Sequence, residues 1–251
     1  MCILALAWQQ HPQWPLLLIA NRDEAYQRPS RPAAPWIDQP DLIGGQDLRS
    51  GGAWLLTTTQ GRWAVITNYR DGRHTPPPNP PSRGHLVSAA CTLPLPVFAQ
   101  QLEDQAKQYA PFNLLWGDLD QAWYFGPQST RPLALKPGTH LLSNALLNTP
   151  WPKTQRLATQ FKHWLDEKTH SPQSLFATLA DRTQAAAQDC PDTGIGLDLE
   201  LKLSPIFIQL PSYGTRCSTL LWGNPQQMNL WERTFSADGN LAAEHAYSWP
   251  L

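Results

Sequence analysis

Short apolar runs separated by turn residues crowd the N-terminal part of the chain, and they limit its fold more than any other feature. Residues 2–8 and 14–20 flank a turn at residues 11–13, which predicts a β-hairpin. Residues 53–59 and 62–68 flank a Gln-Gly turn and predict a second hairpin. Because a hairpin joins neighbouring strands in opposite directions, this part of the chain is expected to build antiparallel sheet.

The middle of the chain is more helical. Residues 96–109 and 153–168 have helical spacing, and Ser171-Pro172 is typical of the start of a helix that we expect to reach about Arg182. The apolar residues of the second segment share one face: Leu157, Phe161, Trp164 and Leu165. That face predicts a helix packed on a sheet.

The remaining segments are read as further strands or as loops. Strand-like segments lie at residues 112–116, 122–125, 139–142, 205–210, 215–222 and 228–235. Segments rich in proline, or without periodicity, are predicted as loops at residues 28–41, 71–82 and 186–203. Strands at both ends with helices between them favour an α+β fold, with helices layered outside antiparallel sheets.

Charge and composition exclude several classes of function. The chain has 251 residues and a formal net charge of -1, so no overall electrostatic field attracts nucleic acid or an anionic membrane. Hydrophobic residues make up 41% of the sequence, which is enough for a large core and argues against disorder. The length allows one large domain or two small ones.

The N-terminus and the cysteines predict a cytoplasmic protein without membrane insertion. The first apolar stretch ends at Gln9 and carries no Lys or Arg, and no run approaches the roughly 18 apolar residues of a membrane span. The four cysteines have no CxxC spacing, so we expect free thiols and no metal site: Cys2, Cys91, Cys190 and Cys217.

Cys2 is the strongest candidate for a catalytic residue, because it follows the initiator Met1. Removal of Met1 would place a thiol nucleophile and a free α-amine on the same residue. The amine, whose reference pKa is about 7.7–8.0, could take the thiol proton directly, so no histidine is needed. The alternative reading is an ordinary buried cysteine in a core strand.

A polar cluster, Asn21-Arg22-Asp23-Glu24, is predicted at the exit of the second strand. The charge of Arg22 can lower the pKa of a nearby thiol, and Asp23 can orient the α-amine. The alternative is a solvated turn with local ion pairing.

Three residues from distant segments complete the candidate site. Asn68 and Asn144 follow predicted strands and could donate their side-chain amides to a developing oxyanion. Arg216 begins a late strand and could orient Cys2 or bind a carboxylate. The alternatives are turn-forming asparagines and a surface arginine at a sheet edge.

A series of short motifs runs from residue 2 to about 235. They are Met-Cys at the start, NRDE at 21–24, GGAW at 51–54, TNYR at 67–70, SRG at 82–84, FNLL at 112–115, GD at 117–118, LSNA at 142–145, PWPK at 150–153 and YGTRCST at 213–219. Together they resemble the NRDE family, also called the Transport and Golgi organisation 2 family. The resemblance implies a single domain over residues 1–251 with an N-terminal-nucleophile (Ntn) hydrolase-like αββα fold.

The resemblance also implies roles for site residues. The family is similar to the penicillin V acylase and bile-salt hydrolase group, whose catalytic cysteine is exposed by removal of Met or a propeptide. Cys2 matches that cysteine. Asn68 resembles the oxyanion asparagine, Asn144 the later asparagine, and Arg216 the late-strand arginine of that group.

Three functions follow as hypotheses. The first is hydrolysis of a linear amide in an N-acyl compound, without a cofactor, in an apolar pocket lined by Trp8, Trp36 and Trp54. The second is non-catalytic carriage of haem, or handling of acyl-CoA or lipid, since the family is linked to haem trafficking and lipid metabolism. A binding or assembly module with a vestigial site is the third. The expected partner is a small apolar molecule, an N-acyl compound, haem or acyl-CoA, with no nucleic acid and no membrane insertion, and the oligomeric state is left open.

Overall fold

The computed structural model describes residues 2–167 and 171–251, which form thirteen β-strands and five α-helices. The strands are β1 (Cys2–Trp8), β2 (Leu16–Ala25), β3 (Ser30–Pro35), β4 (Leu42–Asp47), β5 (Leu55–Thr58), β6 (Trp63–Asn68), β7 (Phe112–Gly117), β8 (Ala122–Phe125), β9 (Leu133–Ala134), β10 (Gly138–Leu142), β11 (Tyr213–Asn224), β12 (Gln227–Phe235) and β13 (Leu241–Pro250). The helices are α1 (Gly84–Thr92), α2 (Leu95–Gln105), α3 (Pro152–Asp166), α4 (Pro172–Leu179) and α5 (Leu197–Lys202).

The strands form two antiparallel sheets. The first sheet has the order β10-β1-β2-β11-β12-β13, and the second has the order β3-β4-β5-β6-β7-β8-β9. The second sheet follows the chain order, as successive hairpins predict. The first sheet instead joins β2 to β11, so it brings the beginning of the chain beside its C-terminal strands.

The space between the sheets holds the central core. Alternate residues of β1 point to opposite faces of the sheet, and Leu4, Leu6 and Trp8 pack toward the second sheet. Trp8 contacts Trp63 there, with ring centroids 6.4 Å apart. Ile3, Ala5 and Ala7 are buried on the other face, under the helices, which explains why the apolar run of β1 is continuous.

Helices cover the outer face of each sheet. α1 and α2 pack on the second sheet, where Phe98 meets Trp116 edge to face. α3 and α4 pack on the first sheet through the predicted apolar face of α3, including Leu157 and Phe161. The four layers confirm the expected αββα arrangement. In residues 2–167 and 171–251, no helix is long and apolar enough to cross a membrane.

Several local predictions were wrong at positions where sequence periodicity is weak. The segment 28–41 contains β3, an edge strand, where prolines are tolerated because one side needs no hydrogen-bond donors. The segment 186–203 contains the six-residue α5. Residues 205–210 form no strand and make only an isolated bridge, Gln209 to Gly214. α3 ends at Asp166, and the predicted end of this helix at Lys168 lies outside the described residues.

The polar cluster Asn21-Arg22-Asp23-Glu24 lies within β2, not at its exit as predicted. β2 continues to Ala25 because β11 pairs with this segment, in the register Asn21 to Ser218 and Asp23 to Thr215. Asn21 is tolerated inside the sheet because its amide donates to the backbone carbonyls of Leu179 and Ile206, at 2.8 and 3.0 Å. The motif is therefore a buried, hydrogen-bonded strand segment.

Candidate functional site

A cavity of about 310 Å³ opens at the end of the two sheets where β1 begins. It is lined by Cys2, Arg22, Asp23, Glu24, Arg28, Asp47, Ser50, Ala53, Trp54, Ile66, Asn68, Pro80, Pro81, Ser82, Arg83, Gly84 and Ala110. Strand ends from both sheets contribute to this wall. The cavity brings together much of the candidate site, and its lining is rich in charge rather than uniformly apolar.

Cys2 is the first residue of β1 and lines the cavity. It lies opposite Arg22 in the β1–β2 register, and its carbonyl accepts a hydrogen bond of 3.0 Å from the Ser143 hydroxyl. Burial raises the pKa of the Cys2 thiol, although a hydrogen bond from the backbone of Asp23 and the charge of Arg22 act in the opposite direction. A neutral thiol at pH 7 needs a base beside it before it can act as a nucleophile.

Arg22 is held by a buried ion-pair network on the cavity side of β2. Its Nη2 lies 3.1 Å from Oδ2 of Asp47, and its guanidinium lies 4.0 Å from the centroid of the Trp54 ring. Arg28 binds the same carboxylate, with 2.5 Å between Nε and Oδ2. Burial acts to raise the pKa of Asp47, but the hydrogen bond and the charges of Arg28 and Arg22 outweigh it, so the pKa lies below its usual range.

Asp23 points away from Arg22, because neighbouring residues in a strand face opposite sides of the sheet. Its Oδ1 accepts a hydrogen bond of 2.7 Å from the Thr215 hydroxyl, and its carbonyl accepts one of 2.9 Å from the Tyr213 hydroxyl. Burial raises the pKa of the Asp23 carboxyl. Arg22 and Asp23 were expected to act together on Cys2, but Arg22 pairs with Asp47 whereas Asp23 accepts a hydrogen bond from Thr215.

Lys153 is a buried residue that the sequence reasoning did not select. It lies in the first turn of α3, where its Nζ donates to the Leu203 carbonyl at 3.1 Å. It interacts electrostatically with Asp23 and Cys2, and burial lowers its pKa to about 8. Its burial could have been predicted, because Lys153 lies four residues before Leu157 and therefore on the same apolar face of the helix.

Replacing Lys153 with methionine is expected to flatten the pH dependence of stability between pH 7 and pH 9. The pKa of about 8 lies below the ordinary 10.5, so the folded state binds fewer protons than the unfolded state in this range. Stability of the wild type therefore rises with pH, by on the order of 1 kcal/mol from this group. Urea unfolding at a series of pH values measures the rise.

Lys162→Met is the matched control for this prediction, since Lys162 lies on the same helix but is exposed and paired with Asp166. The control should keep the wild-type rise. An equal rise in the Lys153 variant would contradict the prediction.

The two asparagines occupy different positions. Asn68 lines the cavity, and its side-chain amide makes no hydrogen bond to the described residues. Asn144 is fully buried behind it, where its Nδ2 donates to the Asn68 carbonyl at 3.0 Å and its Oδ1 accepts from the Ser143 hydroxyl at 3.3 Å. Asn68 can therefore reach a bound ligand, whereas Asn144 holds the backbone of Asn68.

Arg216 lies at a bulge in the pairing of β11 with β2 and does not line the cavity. Its Nη1 donates to the carbonyls of Ala25, Tyr26 and Arg28, at 3.1, 3.1 and 3.2 Å. These contacts fix the segment that follows β2. Arg216 therefore holds the backbone of Arg28 from outside the cavity.

The three tryptophans selected for a ligand pocket do not lie together. Trp54 lines the cavity, but Trp8 is buried between the sheets against Trp63. Trp36 lies on the helix side of the second sheet, and its Nε1 donates to the Gly44 carbonyl at 3.1 Å. These cases cannot be distinguished from the sequence, because each tryptophan is simply a large apolar residue in or near a strand.

Asp47 is the last residue of β4, and the sequence analysis did not select it. Asp47 Oδ1 accepts the backbone N–H groups of Arg49 and Ser50, so the carboxylate forms the turn as well as the ion pairs. Gly52 packs directly on Gly84, and a Cβ at Gly52 would lie 2.5 Å from the Gly84 carbonyl carbon. This close approach brings the loop and the start of α1 to the same cavity wall.

The two antiparallel sheets between helix layers form an Ntn-hydrolase-like αββα fold, in which Cys2 begins an interior strand. A conjugated bile acid hydrolase from Clostridium perfringens, solved as its C2A mutant, has a similar fold, with 8% identity, a TM-score of 0.50, and coverage of 98% of this chain and 96% of that one. An N-acylethanolamine-hydrolyzing acid amidase ortholog from Caenorhabditis elegans is similar over 88% of this chain and 92% of its own, with 10% identity and a TM-score of 0.45.

Sequence similarity gives the family. Residues 1–237 match the family described as Transport and Golgi organisation 2. The homologues of that name from Mus musculus and Bos taurus are 30% and 32% identical over 244 residues, with 88% of each chain covered. The chain belongs to the Transport and Golgi organisation 2 family, as the sequence motifs predicted.

Proposed function

We propose that this chain hydrolyses a linear amide in an N-acyl compound, with Cys2 as the nucleophile after removal of Met1. The observation that carries the proposal is the position of Cys2, which is the first residue of β1 and lines a cavity that Asn68 also lines. The similar fold of a conjugated bile acid hydrolase supports the reaction class. No cofactor is required for this chemistry.

The reaction proceeds in two stages. The α-amine of Cys2, freed by Met1 removal, takes the thiol proton, and Sγ forms a bond to the carbonyl carbon of the amide. The side-chain amide of Asn68 donates to the oxyanion. The carbon–nitrogen bond then breaks, and the leaving amine takes the proton from the Cys2 ammonium. Water attacks the resulting thioester with the same amine as base, releasing the acid and restoring the thiol.

Burial explains why the amine is needed. The pKa of the Cys2 thiol is raised by desolvation, so little thiolate exists near pH 7 without a local base. The hydrogen bond from Ser143 to the Cys2 carbonyl and the pairing with β2 hold the residue in one orientation. The amine therefore stays next to the thiol while the substrate occupies the cavity.

Intact-mass measurement combined with alkylation tests the proposal. The expected result is a purified chain that lacks Met1 and whose Cys2 is labelled by iodoacetamide much faster than the other thiols near pH 7. Cys190 is the comparison thiol, because it is also partly exposed but lies outside the cavity. Retention of Met1 together with an unreactive Cys2 would falsify the proposal.

Replacing Asn68 with alanine is expected to lower kcat by about 10²–10³-fold, the effect of losing one oxyanion donor. KM should change less, since the lost hydrogen bond strengthens only as charge develops on the substrate oxygen. Asn79→Ala is the matched control, because Asn79 lies in the proline-rich loop but does not line the cavity. A kcat that is unchanged in the Asn68 variant would remove this residue from the mechanism.

Carriage of haem is the second candidate. It is favoured by one observation: among the described residues that line the cavity, Cys2 alone has a side chain that commonly ligates haem iron. Titration with haem, in both redox states, should shift the Soret band in the wild type and not in Cys2→Ala. Identical spectra for the two proteins would exclude this role for Cys2.

A further inference from the structure

Three arginines and three carboxyl groups line the cavity, but they do not all pair with one another. Arg22 and Arg28 share the carboxylate of Asp47, and Arg28 also lies 3.8 Å from Glu24. Two cations and two anions of the wall therefore neutralise one another within a single network. The third carboxyl group of the lining, Asp23, accepts a hydrogen bond from the Thr215 hydroxyl.

Arg83 is the cation that remains. Its Nη1 donates to the Pro111 carbonyl at 3.0 Å, but it forms no ion pair with any carboxylate in the described parts of the chain. It lines the same cavity as Cys2. Burial lowers the pKa of Arg83, and the charge of Glu24 acts in the opposite direction. A guanidinium keeps its charge at neutral pH and has further donors available.

The backbone beneath Arg83 is fixed. Gly84 packs against Gly52 and Ala53, and the Ala53 N–H donates to the Gly84 carbonyl at 3.2 Å. The hydrogen bond to Pro111 holds the guanidinium from the other side. An arginine held in this way loses little conformational entropy when it binds an anion.

We propose that the cavity accepts ligands that carry an oxyanion group, a carboxylate or a phosphate, which Arg83 binds while the reacting carbonyl lies at Cys2. This inference rests on the proposed function and names its substrate class: amides with an anionic group near the scissile bond, such as N-acyl amino acids. The paired Arg22 and Arg28 are engaged with Asp47, so Arg83 provides the selectivity for charge.

Two alkylating reagents that differ in charge test this without any substrate. Iodoacetate is anionic and iodoacetamide is neutral. In both, Cys2 Sγ bonds to the methylene carbon, iodide leaves and the thiol proton passes to the base. The ratio of the two rate constants at Cys2, measured by peptide mass spectrometry, reports anion recognition. Arg83→Gln is expected to lower the iodoacetate-to-iodoacetamide ratio by about tenfold, the value of one charge-assisted hydrogen bond.

Arg49→Gln is the matched control. Arg49 is exposed in the adjacent loop, so its replacement changes the net charge equally but leaves the cavity wall intact. It should keep the wild-type ratio, and Arg83→Lys should keep part of it. An unchanged ratio in Arg83→Gln, or an equal fall in Arg49→Gln, overturns the proposal. A fall confined to Arg83→Gln supports it even if the protein hydrolyses no amide.

Calorimetry with the Cys2→Ser variant gives an independent measurement and distinguishes the two anions. The ligands are N-octanoylglycine, its neutral amide, and N-octanoyl-phosphoethanolamine. Tighter binding of either anionic ligand than of the amide, lost in the Arg83→Gln background, supports the proposal and shows whether carboxylate or phosphate is preferred. Equal affinity for all three overturns it. Circular dichroism of each variant confirms that it is folded.

Discussion

Replacing Cys2 with alanine is expected to lower kcat/KM for a linear N-acyl amide by about 10⁴-fold or more, the loss seen when a covalent nucleophile is removed. Alanine is also a small residue, so Met1 removal and the free amine are preserved while the thiol is lost. The variant therefore tests the role of the thiol alone, with the amine base still present. Steady-state hydrolysis of an N-acyl amino acid, followed by release of the free amine, measures the effect.

Cys190→Ala is the control for the Cys2 variant. Cys190 is partly exposed but does not line the cavity, so its replacement should leave the rate at the wild-type value. A Cys2→Ala protein that retains most of the activity would place the nucleophile elsewhere. Unfolding curves for both variants should match that of the wild type within about 1 kcal/mol, which excludes loss of structure as the cause.

Replacing Asp47 with alanine is expected to lower the free energy of unfolding by about 3 kcal/mol. The substitution leaves Arg22, whose side chain is 6% exposed, without its partner, and it also removes the acceptor that forms the turn before Ser50. Urea unfolding followed by fluorescence measures the loss.

Asp41→Ala is the matched control for the Asp47 variant, because Asp41 is exposed and its carboxylate accepts a hydrogen bond from the Thr59 hydroxyl rather than an ion pair in the described residues. Its effect should stay within about 0.5 kcal/mol. The pKa of folded Asp47 lies below its usual range, so the ion pairs contribute fully above about pH 4. Their contribution is lost as the pH falls through the folded-state pKa, and the stabilities of wild type and Asp47→Ala should converge there. Curves that stay parallel would contradict this origin of the stability.

The fold was predictable where the chain is strongly apolar. β1 was predicted from its continuous apolar run, which fits a strand buried on both faces, and β6 from its place in a hairpin. α3 was predicted from the apolar residues on one of its faces. β3 and α5 were missed because an edge strand with prolines and a six-residue helix leave no periodic signal. Their formation depends on neighbours that are distant in sequence.

The candidate site was predictable only in part, for a similar reason. Cys2 could be selected because its chemistry follows from its position after Met1. The separation of Asn68 from Asn144 could not be foreseen, since it depends on contacts across 76 residues of sequence. The sequence shows Asp47 and Arg83 only as two charged residues. Within the described residues, the contacts show that Arg22 and Arg28 pair with Asp47, whereas Arg83 donates to a backbone carbonyl and has no carboxylate partner.

The pairing of β1 on both sides has a consequence for the mobility of the candidate nucleophile. Chain ends commonly fray, but β1 is hydrogen-bonded along both edges, to β10 and to β2. Release of this strand therefore requires breaking its hydrogen bonds to both β10 and β2. Backbone amides of residues 4–8 should accordingly exchange with deuterium only through unfolding of the whole sheet, which makes the beginning of this chain as slow to exchange as its deepest core.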